Sequence, residues 1–461
     1  MFGQLNNNEQ NNPGQGGDVK KTRDNFVVSM RREDRQNLIN KRRYNPMNIM
    51  ENENDDKGQK INLDHLKTVP WGEEMRVQIQ EMLEMQVESA QFNEFIKFLE
   101  DPDRLKRHRA IIGLRKCLSL QTDEVRPPIQ ETIDNNIVPL LVTMMQNSQE
   151  PHIQIEATWC ITNMASGSTE QVASLVEKGI IPIVSELLKT DHFTLLEQSV
   201  WCVGNIAGDC SSYRDKLLHS GALDSLSMKY FYLKDKRDNK HKSLVRQIIW
   251  SISNLCRSKP IPDFKLVRNA VPVFCDAIKN ETEMGTLADI CWALVPHVNK
   301  YSIQTIITLE VIPVFVKLLQ LPQIIIVNPV LRMLGNITHG KDEDTQAVID
   351  AGCITYLTVL LGHPHKIIRM EACWIISNIT AGTSKQIQFI MDDEFVFPKL
   401  VGLCLNDVGD VQREAVWAIC NMTKKAQPQQ ITWLMQNGII DLFEHFLDPV
   451  NKAGAKIINV V

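Results

Sequence analysis

An all-α solenoid is the fold this sequence predicts, and two periodicities predict it. The first is a tryptophan with an asparagine four residues later: Trp159/Asn163, Trp201/Asn205, Trp250/Asn254, Trp374/Asn378 and Trp417/Asn421. The tryptophans step by 42, 49, 124 and 43 residues. The long step holds two degenerate members, Trp292 followed by Pro296 and Arg332 followed by Asn336. Positions i and i+4 share a helix face, so a repeat of this kind builds an aromatic column beside an amide column. The second periodicity is a short loop-to-helix junction at Asn136-Ile-Val-Pro139, Gly179-Ile-Ile-Pro182, Gly221-Ala-Leu-Asp224, Asn269-Ala-Val-Pro272, Glu310-Val-Ile-Pro313, Gly352-Cys-Ile-Thr355, Phe395-Val-Phe-Pro398 and Gly438-Ile-Ile-Asp441. Proline suits the first helical turn, where its missing donor costs nothing, and glycine or asparagine suits the turn before it.

Both markers recur about every 40–47 residues, a period that belongs to armadillo or HEAT repeats of two or three helices each. Apolar runs at helical spacing follow the junctions, such as Ile183, Val184, Leu187 and Leu188. In chain order, residues 1–24 are polar and low in complexity and predict disorder. Residues 25–44 carry a weakly amphipathic helical pattern with Arg31, Arg32 and Arg35, ending in Lys41-Arg42-Arg43. Residues 45–70 read as a linker. Residues 71–461 read as the solenoid, about eight repeats and a truncated ninth, whose first apolar face is Phe92, Phe95, Ile96 and Leu99. The charged stretch Lys234–Lys242 reads as a solvated insertion between two helices.

Charge is divided unevenly. The chain has 50 Lys+Arg and 55 Asp+Glu, yet residues 1–50 hold nine basic and five acidic residues. A basic arm before an acidic body suits docking to a groove of the same chain or to a partner. Nucleic acid is the alternative for such an arm, but the body has no matching basic stripe. The eleven cysteines form no CxxC pair and no zinc spacing, and five lie beside ladder residues, as small buried hydrophobes of a reducing compartment do. No signal peptide, bilayer-length apolar run, nucleophile arrangement or phosphate-cradling glycine loop is legible, so the chain reads as a soluble intracellular binding protein with no enzyme activity, cofactor or metal.

Stacked repeats advance about 10 Å, and an extended peptide about 3.3 Å per residue, so each repeat addresses every second or third peptide residue. Indole faces accept the stem and charged head of Lys or Arg, and Asn bonds a main chain whatever its sequence. Glu156, Asp289, Glu371 and Glu414, three residues before the tryptophan column, and Asp209, at the end of the Trp201 helix, are expected to select positive charge. The predicted ligand is an extended basic segment. The degenerate middle splits the ladder into blocks at Trp159–Asn254 and Asn336–Asn421, which predicts two binding sites.

The segments Trp159-Cys-Ile-Thr-Asn-Met-Ala-Ser-Gly167, Trp201-Cys-Val-Gly-Asn-Ile-Ala-Gly-Asp209 and Trp250-Ser-Ile-Ser-Asn-Leu-Cys-Arg257 resemble the third helices of the importin-α family of nuclear-import adaptors. The resemblance covers roughly residues 25–461. It implies a right-handed armadillo-repeat superhelix with a disordered basic N-terminal arm. It implies a major site for nuclear localisation signals at Trp159, Asn163, Gly167, Trp201, Asn205, Asp209, Trp250 and Asn254, with Asp209 pairing the key lysine. A minor site is implied at Asn336, Gly340, Thr345, Trp374, Asn378, Glu414, Trp417 and Asn421. Residues 25–44 are similar to a short importin-β-binding segment whose Lys41, Arg42 and Arg43 imitate a cargo signal. The implied partners are cargo proteins, importin-β and, on the C-terminal repeats, a nuclear export receptor, with shuttling between cytoplasm and nucleus and no contact with nucleic acid or membrane.

Three departures from the family pattern carry expectations. Val172 stands where the family has a threonine and is expected to remove one hydrogen bond to the signal. The thin arm, with only Arg31-Arg32 in its first cluster, weakens the expectation of importin-β binding. The end at Lys456–Val461, inside the ninth repeat, predicts poor export. Two other classes remain open from the residues alone: an armadillo scaffold of the β-catenin type, and a dedicated chaperone for one basic protein.

Overall fold

A computed structural model describes residues 73–120, 126–236 and 238–447. The low-complexity stretch, the basic segment with Arg31, Arg32, Arg35, Lys41, Arg42 and Arg43, the linker, and the apolar end at Ile457–Val461 lie outside the described residues. The described repeats belong to one compact unit. Every element in the described residues is a helix. Among the described residues eight repeats end in a long third helix, and these are α1 (Arg104–Ser119), α2 (Pro151–Met164), α3 (Phe193–Asp209), α4 (Asn239–Cys256), α5 (Met284–Leu294), α6 (Ile324–Thr338), α7 (Lys366–Thr380) and α8 (Gly409–Lys425). From α2 onward, each packs directly on the next. One aligned column of third helices is the frame on which the ladder residues stand; the periodicities predict an armadillo or HEAT solenoid, and the fold is the armadillo form that the resemblance implies.

The junctions do what their residues allow. Gly179, Gly221, Gly352 and Gly438 are left-handed at φ 79, 80, 79 and 87°, and Asn136 and Glu310 follow at 54 and 52°. Glycine meets that conformation without a Cβ penalty, whereas Glu310 adopts it under strain. Asn269 and Phe395 stay right-handed, so those two junctions turn differently.

After α2 and α7 the chain re-enters helix through reciprocal caps. Ser168 N–H donates to Gln171 Oε1 at 3.0 Å while Gln171 N–H donates to Ser168 Oγ at 3.4 Å, and Thr383 with Gln386 does the same at 3.0 and 3.3 Å. The capping glutamine's other end reaches the preceding repeat: Gln386 Nε2 donates to the Asp342 carbonyl at 2.7 Å, and Gln430 Nε2 to that of Ser384 at 2.9 Å. Local capping and inter-repeat registry are thus one interaction.

Core side chains such as Ile180, Val184, Leu188 and Ile206 are fully enclosed. Truncating one to alanine is expected to cost about 2–5 kcal/mol. All eleven cysteines are unpaired and ten are buried. Burial pushes the Cys202, Cys256 and Cys353 thiols up to about 12, which keeps them protonated and inert at neutral pH.

The charged insertion corrects the loop reading. Asn239–Lys242 are the first turn of α4, because Asp238 accepts the His241 N–H at 3.1 Å and serves as its N-cap. Half of the insertion therefore lengthens a third helix.

Candidate peptide-binding face

The amide column is held by one repeated bond. Asn163 Nδ2 donates to the Arg115 carbonyl at 3.4 Å, Asn205 to Thr162 at 3.2 Å, Asn254 to Gly204 at 2.9 Å, Asn336 to Val295 at 3.2 Å, Asn378 to Gly335 at 3.2 Å and Asn421 to Ser377 at 3.0 Å. Each acceptor stands one residue before the ladder position of the preceding helix: Lys116, Asn163, Asn205, Pro296, Asn336 and Asn378. An amide has two N–H donors and an acceptor oxygen, so this bond fixes the rotamer without using the full hydrogen-bonding set, and Asn378 adds a second donation to Thr338 Oγ1 at 3.3 Å. Asn254 has less to offer, since its Oδ1 already accepts Arg257 Nη2 at 2.6 Å.

The aromatic column packs by the same register. A Cβ on Gly204 would overlap the Trp250 ring, and one on Gly335 the Trp374 ring, so each indole lies against backbone of the preceding repeat. Trp201 and Trp250 have ring centroids 5.6 Å apart at 51°, a tilted pair. Trp159, Trp250, Trp374 and Trp417 are half-buried, and Trp201 is 3 % exposed. In the first block, Trp159 and Trp250 therefore present more surface than Trp201.

The carboxylates differ from expectation. Glu156, Asp289 and Glu371 are buried, at 3, 7 and 0 % exposure, and each binds an arginine of the preceding repeat. Arg115 Nε meets Glu156 Oε2 at 2.8 Å, Arg257 Nη1 meets Asp289 Oδ1 at 3.3 Å, and Arg332 Nε meets Glu371 Oε1 at 3.3 Å. The chain satisfies these acids itself because a buried carboxylate without a cation costs several kcal/mol. Glu414 remains half-buried.

Asp209 is half-buried at the end of α3, where its Oδ1 accepts Thr169 Oγ1 at 3.1 Å from the first helix of the same repeat. Gly167 lies in the same turn as Thr169, and Gly340 occupies the equivalent turn after α6. A Cβ there would lie 3.0 Å from the Met164 carbonyl, or 2.9 Å from that of Ile337. Thr345 is buried, with its hydroxyl donating to the Thr338 carbonyl at 3.1 Å. Val172 occupies the equivalent place in its own repeat and is wholly enclosed. The valine cannot make the internal bond that Thr345 makes.

Between the blocks, α5 stops at Leu294 and a short 3-10 turn, Val295–His297, carries Pro296. Arg214, fully buried, donates through Nη1 to the carbonyls of Arg257 at 2.7 Å, Ser258 at 3.2 Å and Pro260 at 2.8 Å. That cradle fixes the loop from which Arg257 reaches Asn254 and Asp289.

An armadillo/β-catenin-like repeat model matches residues 126–166, 168–208 and 341–381. The crystal structure of an engineered protein covers 86 % of this chain and 96 % of its own at a TM-score of 0.65 and 21 % identity, a likeness of fold alone. Importin subunit alpha-1b of Oryza sativa subsp. japonica is 37 % identical over 282 residues, which are 60 % of this chain and 51 % of that one. Importin subunit alpha-8 of Arabidopsis thaliana is 33 % identical over 312 residues, 67 % of each chain. The chain belongs to the importin-α family. It spans about half the length of the rice relatives it matches, alpha-1b and alpha-1a, at 51 and 54 %.

On this importin-α solenoid the ladder residues of each block occupy one face of successive third helices, brought together by stacking across about 40 residues of sequence. Three participants escaped the sequence reading. Arg115 lies with its Cζ 4.2 Å from the Trp159 ring centroid, and Lys424 Nζ lies 5.1 Å from that of Trp417. Glu197, one turn before Trp201, is hydrogen-bonded to Gln247 of the next repeat, and burial raises its pKa above the ordinary glutamate value. Its position four residues before a ladder tryptophan was the available signal; nothing in local sequence marks Arg115.

Proposed function

We propose that this importin-α family member is a nuclear import adaptor, which binds basic nuclear localisation signals along α2–α4 and α6–α8 and joins them to importin-β through residues 25–44. The observation that supports this reading best is the repeated asparagine bond. Six amides held in one pose at the spacing of successive repeats suit recognition of an extended main chain, and half-buried indoles between them suit the stems of lysine and arginine. Asp209 supplies the carboxylate for a key lysine in the first block.

The buried acids alter how charge selection works. Glu156, Asp289 and Glu371 hold the chain's own arginines, so selection of a basic ligand falls to the ring faces, to Asp209 and to the half-buried Glu414. Shuttling between cytoplasm and nucleus follows from this role. Calorimetric titration with a single-cluster basic peptide and its all-alanine counterpart tests the groove. Capture of importin-β with and without residues 1–50 tests the arm. Equal affinity for both peptides overturns the groove reading.

A further inference from the structure

The first indole of the ladder already carries a guanidinium from its own chain. Arg115 of α1 lies over Trp159 with Cζ 4.2 Å from the ring centroid, and its Nε holds the buried carboxylate of Glu156 at 2.8 Å. Its carbonyl accepts Asn163 Nδ2 at 3.4 Å, which ties it into the register of the ladder. The next position, Lys116, stands where the ladder has asparagine, and its Nζ donates to the carbonyls of Leu83 at 2.8 Å and of Met85. Four residues earlier, where the ladder has tryptophan, α1 has the fully buried Ile112. α1 therefore offers neither indole nor amide to a ligand, and places there a buried arginine paired with Glu156 and a half-buried lysine.

We infer that Arg115 is a specificity-determining residue that ends the basic-selective part of the groove at Trp159. The inference rests on the peptide-binding reading above. A ligand cation on the α1 side of Trp159 would need a ring face and a carboxylate, and Arg115 has taken both. It would also approach the Lys116 ammonium in a partly desolvated site, where Coulomb repulsion is less screened than in water. The ligand residue at that end is therefore neutral or acidic, while the next slot, on the Trp201 side of Trp159, takes a basic residue. The pair is conditional on both members, since truncating the arginine alone leaves Glu156 buried and charged.

The test uses the full chain and a basic core peptide extended by one residue, Lys, Ala or Glu, at each end in turn. The readout is the ratio of Lys-extended to Ala-extended affinity by fluorescence anisotropy. In the natural chain, one end is expected to show no preference for Lys. The double variant Arg115→Ala/Glu156→Gln removes both charges together and opens the ring face. It is expected to raise the Lys/Ala ratio at that end about fivefold, the scale of one cation–π contact, and to leave the other end unchanged. Arg115→Gln/Glu156→Gln, which removes both charges and keeps hydrogen-bonding groups at both positions, carries the same test if the alanine variant does not fold. Binding of the core peptide with equal ratios in the natural chain and the variant, at both ends, overturns the inference alone. Absence of core-peptide binding to the natural chain overturns the groove reading and this inference with it.

Discussion

Gly204 and Trp250 are in direct contact across two repeats: the glycine's missing side chain is the space in which the indole lies. A Cβ there would overlap the ring and lie 2.7 Å from Ser251 Oγ. Gly335 and Trp374 repeat the arrangement in the second block. The same Gly204 accepts the Asn254 amide through its carbonyl, so one residue positions both members of the next ladder pair.

Gly204→Ala should therefore be destabilising even though alanine is the better helix former. Overpacking a filled site costs about 1–3 kcal/mol, against up to about 1 kcal/mol gained in helix propensity. Urea unfolding is expected to show a net loss on the order of 1 kcal/mol, with weaker binding of a single-cluster basic peptide. A variant as stable as the natural chain with unchanged affinity would mean that the indole relocates freely.

At Asp209 the expected effect is on binding and not on stability. Asp209→Lys replaces attraction with repulsion at a half-buried position, and affinity for a single-cluster peptide should fall at least tenfold, about 1.4 kcal/mol or more. Calorimetry reads the change directly; an unaltered dissociation constant removes Asp209 from the site.

Arg332 and Glu371 make the opposite case. Glu371 is wholly enclosed and Arg332 is its partner at 3.3 Å, so Arg332→Met strands a buried carboxylate. A loss of about 3–5 kcal/mol is expected, and Arg332→Met/Glu371→Gln should recover most of it. Denaturant titration of both variants decides; equal stability of single and double variants would show that the pair is not coupled.

If the two blocks are separate sites, avidity follows. A peptide with two basic clusters joined by about ten residues should lose much more affinity on Trp374→Ala/Asn378→Ala than a single-cluster peptide does, because the second contact is made at high effective concentration. Equal losses would indicate one continuous site.

The arm predicts competition. If Lys41-Arg42-Arg43 occupies the groove in cis, deleting residues 1–50 should tighten cargo-peptide binding, and added importin-β should do the same to the full chain. A dissociation constant unmoved by the deletion would exclude autoinhibition.

Much of this molecule is written locally. The period, the helix starts at the Gly/Asn and Pro junctions, and the Trp/Asn columns are properties of residues a turn or a repeat apart, which helix geometry converts into a shared face without further information. The interruption at Pro296 was equally legible, and the structure ends α5 at Leu294 with a 3-10 turn there. What stacking alone decided is which groups remain for a ligand. Glu156, Asp289 and Glu371 look like ligand-selecting acids in sequence, yet each meets an arginine 32 to 41 residues earlier in the chain. Burial makes an unpaired charge too costly, so the fold recruits whatever cation the neighbouring repeat supplies. The same holds for Val172 and Thr345, for the helical half of the insertion after Asp238, and above all for Arg115 on Trp159: pairings between repeats are set by the register of packed helices, and no local pattern encodes that register.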